Sequence, residues 1–217
     1  SEGYAPTELN NLNSYYGTAT ELKEVIQAIQ PAKAIADIVV NHRAGSTCWG
    51  DFTNPDWGVV KGVKYPAICS DDEAFNANSG DKSHMVGKPS GAPDTGASYD
   101  AYRDIDHTNT SVQDGIIAWM NDVLKPAGFV GWRYDYVKGF AGKYVGKYNA
   151  GSSAQFSVGE YWPSSAGYDA SSPSVWGNEI KNWITSTEEE SGQRSRAFDF
   201  ALKGAMNSVF GWGTTAG

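Results

Sequence analysis

The segment Gly128–Phe140, with the sequence GFVGWRYDYVKGF, has the aromatic and apolar pattern of a short strand between two glycines. Alternation along a strand predicts that Arg133 and Asp135 share one face. The opposite face then carries the aromatic side chains Trp132, Tyr134 and Tyr136. A neighbouring guanidinium should keep Asp135 ionised, and an ionised, oriented carboxylate can act as a nucleophile. A structural ion pair at a strand end explains the same spacing about equally well.

Helices and strands alternate on both sides of this segment. Apolar runs predict strands at 34–40, 129–135, 155–160 and 196–200. Helical periodicity predicts helices at 19–29, 110–124, 141–149, 178–187 and 201–210. This alternation is typical of a parallel sheet covered by helices, whose active sites lie at the carboxyl ends of the strands. Polar residues stand at these four ends, namely Asn41, Asp135, Glu160 and Asp199.

The interval 44–103 interrupts the alternation. A strand–helix–strand unit takes about 30 residues. The stretch from the first predicted strand to the second is longer than such a unit by on the order of 60 residues. The interval is rich in Gly, Pro, Asp, Asn and Ser, but its aromatic residues argue against a disordered loop. We therefore predict an inserted small domain at 44–103, between two parts of one α/β domain at 1–43 and 104–217.

Composition narrows the classes of function. The 217 residues carry a formal net charge of −8, which argues against nucleic-acid binding and is compatible with a neutral ligand such as a sugar or with bound cations. The sequence contains no run of eighteen apolar residues, so no membrane span is expected. Cys48 and Cys69 are the two cysteines, and a single bridge or two free thiols remain equally open.

Three further segments join the central one in a fixed order. They read DIVVNHR at Asp37–Arg43, DIDH at Asp104–His107 and FSVGEYW at Phe156–Trp162. Together the four segments resemble the alpha-amylase family of retaining glycoside hydrolases, particularly its plant and algal branch. The resemblance implies an α/β fold that is a partial TIM (β/α)8 barrel, about strands 3 to 6, with a calcium-binding small domain inserted after strand 3.

The resemblance also implies roles for individual residues. Asp135 matches the family's nucleophile and Glu160 its acid/base, and a retaining mechanism requires their carboxyl groups to lie about 5–5.5 Å apart. Sugar-binding roles are implied for His42, Arg133, Lys138, Tyr161 and Trp162. The family's third carboxylate lies in a later segment that has no match before Gly217, and Asp199 does not correspond to it.

A calcium site is implied in the same way. Its ligands would be Asn41, Asp94, Asp104 and the backbone carbonyl of Gly139, and oxygen ligands of this kind suit Ca²⁺. Asp72 would take part in an additional calcium site, but Ser98 stands where the family branch has a second aspartate. Plain solvation is the alternative explanation for the acidic residues of the insert.

The function implied by the resemblance is endo-acting hydrolysis of α-1,4-glucosidic bonds in starch or glycogen. The expected partner is a polysaccharide, with no nucleic acid and no membrane. A monomer and a secreted or plastid location are also expected. Two alternatives remain open, namely another specificity within the same superfamily and a catalytically silent relative that binds glucan or serves as an assembly partner.

Overall fold

The computed structural model describes residues 3–45, 50–59, 64–77, 88–163 and 167–211. The strands are β1 (Ile35–Ile38), β2 (His42–Arg43), β3 (Arg103–Asp104), β4 (Gly131–Tyr134), β5 (Phe156–Gly159) and β6 (Arg196–Ala197). The α-helices are α1 (Ala19–Ala28), α2 (Glu73–Ala77), α3 (Thr110–Trp119), α4 (Lys125–Ala127), α5 (Gly142–Ser152), α6 (Ser174–Ser186) and α7 (Phe200–Phe210). A π-helical turn, Met120–Leu124, joins α3 to α4, and short 3₁₀ turns cover Val137–Gly139 and Glu189–Ser191.

A four-stranded parallel sheet in the order β1–β4–β5–β6 forms the centre of the fold. Its register places Asp37 of β1 beside Arg133 of β4. The prediction of four adjacent parallel strands is therefore confirmed. Within the described parts of 44–103, no residue contributes to this sheet. The architecture is α/β and is consistent with part of a TIM barrel, in which parallel strands alternate with covering helices.

A separate ladder joins the inserted segment to the sheet. Strands β2 and β3 pair in antiparallel fashion, with His42 opposite Asp104 and Arg43 opposite Arg103. Because Arg103 is the last residue of the predicted insert, this ladder lies across the predicted boundary. The division into 1–43, 44–103 and 104–217 stays a prediction.

Several element ends differ from their predicted positions. Strand β6 is shorter than predicted because Asp199 caps α7, with its Oδ1 accepting the Leu202 N–H at 2.8 Å. Helix α6 begins at Ser174 rather than at 178. The helix predicted to end at 124 continues through the π turn, past Pro126, to Gly128, whose φ of 112° ends it. The π turn widens the hydrogen-bond ladder where the N–H of the proline is missing, so the proline is accommodated.

The aromatic face of β4 packs under helix α5. The Trp132 indole donates to Ser152 Oγ at 2.8 Å, and the Tyr134 hydroxyl donates to Asn149 Oδ1 at 3.0 Å. Both aromatic side chains are fully buried, so their predicted face is confirmed. The placement of Tyr136 on that face is wrong, because its backbone turns to a φ of 41° after the strand ends.

Arg43 anchors the insert to the N-terminal loop. Its guanidinium donates to the carbonyl oxygens of Thr7 and Pro55, each at 2.7 Å, and lies 4.8 and 4.7 Å from the ring centroids of Phe52 and Trp57. Burial lowers the pKa of Arg43 to about 10, which still leaves the side chain charged at pH 7. The insert is therefore held by a cation that is bonded on both sides of the junction.

Two further expectations concern the cysteines and membrane-spanning helices. Cys69 is buried and is a free cysteine, which disagrees with the alternative of a bridge, and Cys48 lies outside the described residues. Among the helices that the structure describes, none has the length and apolar character needed to cross a membrane.

Two helical glycines make a matched test of the packing. A Cβ on Gly146 of α5 would lie 1.7 Å from the carbonyl oxygen of Thr187, whereas a Cβ on Gly177 of α6 would meet nothing within 4 Å. We expect Gly146→Ala to lower the free energy of unfolding by about 2 kcal/mol through overpacking. Gly177→Ala should raise it by about 0.5–1 kcal/mol because alanine restricts the unfolded chain. Urea unfolding of the intact protein measures both, and equal effects would contradict the packing of α5.

Candidate active site

Arg133 binds three carboxylates at the carboxyl end of the sheet. Its Nη1 lies 2.8 Å from Asp37 Oδ1 and 2.7 Å from Asp135 Oδ1, and its Nη2 lies 2.9 Å from Glu160 Oε2. The three acids come from the adjacent strands β1, β4 and β5 or from the residue that follows them. One partly buried cation therefore gathers the ends of three strands, of which the shared face of Arg133 and Asp135 predicted only the contact with Asp135.

The protonation of Asp135 depends on opposing influences. Burial raises its pKa most, Arg133 lowers it by hydrogen bonding and charge, and Glu160 raises it, so that the pKa is about 6. Arg133 therefore acts on Asp135 in the predicted direction, but burial and the second acid outweigh it, and the pKa lies above its ordinary value. With a pKa near 6 the carboxyl group is still mostly ionised at pH 7.

Glu160 lies beside Asp135 because both carboxylates bond to the guanidinium of Arg133. Glu160 Oε2 also accepts the backbone N–H of Tyr136 at 3.3 Å, so it is held against the residue that follows Asp135. The spacing of about 5–5.5 Å between the two carboxyl groups stays a prediction.

The two acids face an open cleft of about 280 Å³. The described residues that line it are Tyr4, His42, Tyr99, Arg133, Asp135, Tyr136, Glu160 and Trp162. The cleft therefore combines acidic groups with aromatic walls, a composition that suits a polyhydroxylated ligand with apolar C–H faces.

His42 occupies one wall of the cleft. Its Nε2 is 2.9 Å from the carbonyl oxygen of Tyr4, and its ring stacks on Tyr99 with centroids 4.2 Å apart. Burial lowers the pKa of His42, so the imidazole is neutral at pH 7. A neutral histidine beside two acids can contact a ligand without adding a charge to the site.

The remaining predicted sugar-binding residues lie in different surroundings. Trp162 borders the cleft, and its indole N–H donates to Glu160 Oε1 at 3.2 Å. Tyr161 instead packs against Trp183 with centroids 5.8 Å apart, on the core side of the strand end. Lys138 is absent from the described residues that line the cleft. The structure therefore brings Trp162, but not Tyr161 or Lys138, to the two acids.

Four residues at the site had no predicted role. Asp37 was part of a matched segment, and it accepts both Arg133 and the Tyr4 hydroxyl, the latter at 3.0 Å. Tyr4 and Tyr99 lie in irregular segments without a motif, whereas Tyr136 belongs to the central segment but was placed on its other face, and only the folded chain brings these rings to the cleft. A sequence signal existed for Asp37, whose position on β1 one strand from Arg133 follows from the parallel register.

Buried carboxylate oxygens without partners lie at the junction with the insert. In the part of the chain that the structure describes, Oδ2 of Asp94 and Oδ2 of Asp104 are buried and have no hydrogen-bond partner. Burial and neighbouring acids raise the pKa of Asp94 to about 6 and that of Asp104 to about 10. Such a cluster is costly unless a cation or protons compensate it.

The other predicted calcium ligands lie against the same cluster. Asn41 Nδ2 donates to Asp104 Oδ1 at 3.3 Å, and the Asn41 amide oxygen packs on Gly139, where a Cβ would lie only 1.8 Å from it. Asp72 is differently engaged, since its oxygens accept the backbone N–H groups of Phe75 and Asp104 at 3.0 and 3.2 Å. Among the described residues, no group of three His, Cys, Asp or Glu side chains forms a metal site.

Two plant proteins are similar to nearly the whole chain. Alpha-amylase 3, chloroplastic, of Arabidopsis thaliana is 34% identical over 215 residues, which is 96% of this chain and 22% of that protein. A protein of the same plant named probable alpha-amylase 2 is 33% identical over 216 residues, which is 96% of this chain and 47% of that protein. The chain thus spans between about a fifth and a half of their lengths. No family model matches the chain.

A solved structure supports the fold. An alpha-amylase from Malbranchea cinnamomea superposes with a TM-score of 0.54 and 19% identity, over 86% of this chain and 35% of that one. The four-stranded parallel sheet is consistent with part of the barrel of such a structure. The chain is an alpha-amylase family homologue, and it matches part of the length of its plant relatives.

Arg133 can be tested through the titration of Asp135. Arg133→Gln removes the charge and hydrogen bond that lower the pKa of Asp135, so this pKa should rise above about 6. Carbon-13 NMR titration of aspartate-labelled intact protein measures it, with Asp135→Asn identifying the resonance. Arg194→Gln is the control, because Arg194 pairs with Glu188 at an exposed position away from the cleft. An unchanged pKa in Arg133→Gln would contradict the geometry.

Proposed function

We propose that the intact protein is an endo-acting, retaining hydrolase of α-1,4-glucosidic bonds in starch or glycogen. One observation carries the proposal, namely that Arg133 holds Asp135 and Glu160 together at adjacent strand ends in an open cleft. Two carboxyl groups on one face of a cleft are the minimum that glycoside hydrolysis requires. The similarity to plant alpha-amylases supports the choice of a glucan as the substrate.

In the first step Asp135 attacks the anomeric carbon of the bound sugar. The bond from that carbon to the glycosidic oxygen breaks, and Glu160 gives its proton to the leaving oxygen. In the second step Glu160, now ionised, takes a proton from water while the water oxygen attacks the anomeric carbon. Asp135 leaves as a carboxylate, and the two inversions together retain the anomeric configuration.

The contact between Arg133 and Asp135 suits this mechanism. The reaction starts with the nucleophile ionised and the acid protonated. Arg133 Nη1 is bonded to Asp135 Oδ1 at 2.7 Å, so the nucleophile keeps its orientation while a sugar enters the cleft.

We propose that Ca²⁺ binds at the junction with the insert, held by Asn41, Asp94, Asp104 and the Gly139 carbonyl. The unpartnered oxygens of Asp94 and Asp104 fit a hard cation that prefers oxygen ligands. When bound, the ion would neutralise these acids and fasten the insert to the sheet. Asp72 would contribute by holding the Asp104 backbone rather than as a ligand of an additional ion.

The location and partners are proposed on narrower grounds. A polysaccharide partner follows from the proposed reaction. A plastid location takes its support from the relative whose name describes it as chloroplastic. The monomeric state and a secreted location stay predictions from the sequence.

Substitution of the two acids tests the reaction. Asp135→Asn should abolish starch hydrolysis and the covalent intermediate, because an amide cannot attack the anomeric carbon. Glu160→Gln should lose starch hydrolysis as well, but retain some cleavage of substrates with good leaving groups, which need less protonation. Polarimetry or proton NMR of the first products should show retention of configuration.

The control is Glu24→Gln, since Glu24 lies exposed on α1 and should leave activity unchanged. Inversion of configuration, or near-normal activity in Asp135→Asn, would contradict the mechanism. If the intact protein binds maltooligosaccharides but hydrolyses none of them, the silent glucan-binding alternative is the correct one.

Calcium is tested by stability rather than by activity. Chelation of the intact protein should lower its melting temperature by several degrees, as loss of a ligand that binds only the folded state does. In Asp104→Asn the sensitivity to chelator should disappear, and the metal-free variant should melt at or above the metal-free parent, because one buried carboxylate is gone.

Asp122→Asn serves as the matched control for the calcium test, because Asp122 is exposed on the π turn. It should keep the full response to chelator. An unchanged melting temperature when the parent protein is chelated would refute the proposed calcium site.

A further inference from the structure

The chain changes hydrogen-bond partners where β1 leads into β2. The carbonyl oxygen of Ile38 accepts the backbone N–H of Asp135 at 3.0 Å, which belongs to the parallel sheet. The carbonyl oxygen of Asn41 accepts the backbone N–H of Ile105 at 3.0 Å, which continues the antiparallel contact of β3. Val40 lies between these two points and is 1% exposed. A buried carbonyl group at such a crossing needs a donor, because an unpaired one is costly.

The imidazole of His107 supplies a donor to this carbonyl group. Its Nε2 lies 3.0 Å from the carbonyl oxygen of Val40, and its Nδ1 lies 2.6 Å from the hydroxyl oxygen of Tyr148. Burial lowers the pKa of His107 to about 3, so the ring is neutral at pH 7 and carries one N–H. Since a carbonyl oxygen can only accept, the hydrogen is on Nε2, and the Tyr148 hydroxyl donates to Nδ1. The two hydrogen bonds therefore select one tautomer.

Packing fixes the plane of the same ring. His107 is buried, and its ring stacks on Phe140 with centroids 4.1 Å apart and an interplanar angle of 19°. The ring of Tyr144 stacks on it as well, with centroids 5.6 Å apart. The backbone of His107 is also held, because its carbonyl oxygen accepts Gln113 Nε2 at 2.7 Å. The imidazole cannot turn away from Val40 without breaking several of these contacts.

Helix α5 joins His107 to β4. Tyr148 of this helix binds the ring of His107. The next residue, Asn149, accepts the Tyr134 hydroxyl at 3.0 Å, and Tyr134 is the last residue of β4, directly before the proposed nucleophile. One helix therefore holds both the strand end that carries the nucleophile and, through His107, the backbone that leads to His42.

From these contacts we propose that His107 is a positioning residue, which holds the backbone of Val40 so that His42 stands in the wall of the cleft. His107 is not among the described residues that line the cleft, so it acts on a bound sugar only through His42. This proposal rests on the proposed function, because it concerns the contact of His42 with the substrate. Its consequence is that substitutions of His107 and His42 impair the reaction through the same contact and are not additive.

A double-mutant cycle in the intact enzyme tests the proposal. His107→Phe keeps an aromatic ring but removes both hydrogen bonds. It should lower kcat/KM for a chromogenic aryl maltooligoside roughly tenfold, because a displaced side chain no longer meets the reacting sugar. In a His42→Ala background the same substitution should change kcat/KM by less than about twofold. His107→Gln should restore most of the activity, because its amide N–H can donate to the Val40 carbonyl.

Nitrogen-15 NMR of the histidine-labelled intact protein gives a second readout, which does not depend on activity. In the parent protein, His107 should show a protonated Nε2 and an unprotonated Nδ1, and His107→Phe identifies these resonances. Tyr148→Phe should keep this tautomer, because the contact with the Val40 carbonyl remains, and should shift the Nδ1 resonance. The opposite tautomer in the parent protein would overturn the proposed arrangement.

Gln193→Leu is the matched control. The Gln193 side chain also donates to a carbonyl oxygen, that of Ala154 at 2.7 Å, but Ala154 precedes the amino end of β5, at the opposite edge of the sheet from the cleft. This variant should leave kcat/KM unchanged.

The proposal is refuted if His107→Phe leaves kcat/KM of the parent enzyme unchanged, or lowers it by the same factor in the parent and in His42→Ala. If His107→Phe does not fold, His107→Asn replaces it in the cycle, because its shorter amide reaches Tyr148 but not the Val40 carbonyl. Failure of the proposed function looks different, because the parent protein would then hydrolyse no maltooligoside although its NMR spectrum still showed the expected tautomer.

Discussion

The guanidinium of Arg133 is the contact on which the candidate site depends. Three acids from adjacent strand ends converge on it, namely Asp37, Asp135 and Glu160. Without a cation among them, three partly buried carboxylates in such proximity would repel one another. The parallel register makes the gathering possible, because it aligns the carboxyl ends of β1, β4 and β5 along one edge.

The same site shows how burial and charge compete. Arg133 alone would lower the pKa of Asp135, but burial and Glu160 raise it to about 6. The pKa of Asp135 therefore lies above its ordinary value although a guanidinium is bonded to its carboxylate. The site depends both on the cation that gathers the acids and on the burial that opposes it.

The acids at the junction with the insert are arranged differently from those at the cleft. There Asp94 and Asp104 have buried oxygens without a partner, and no positively charged side chain among the described residues bonds to them. The β2–β3 ladder fixes Asp104 opposite His42, so Asp104 cannot move away from the cluster without opening the ladder. The stability of the junction and the shape of the cleft wall are therefore linked through one short ladder.

The sequence by itself determined the strands, their parallel order and the two acids at their ends. The two-residue period of strands and the 3.6-residue period of helices are local patterns, so they can be recognised along the sequence. The four matched segments occur in a fixed order, and they identified Asp135, Glu160 and Arg133 without the structure. The end of β6 and the start of α6 were predicted at the wrong residues. They are set by local contacts, such as the cap that Asp199 forms on α7, and these contacts leave no periodic pattern in the sequence.

Only the tertiary structure decided which side chains reach the acids. Trp162 lies at the cleft while its neighbour Tyr161 packs on Trp183, and one residue of difference in a strand end reverses the direction of a side chain. Tyr4 and Tyr99 come from loops far apart in the chain, and no periodic pattern marks them. The pKa of Asp135 was likewise a property of the fold, because burial is set by the whole surrounding structure and a sequence shows only neighbours along the chain.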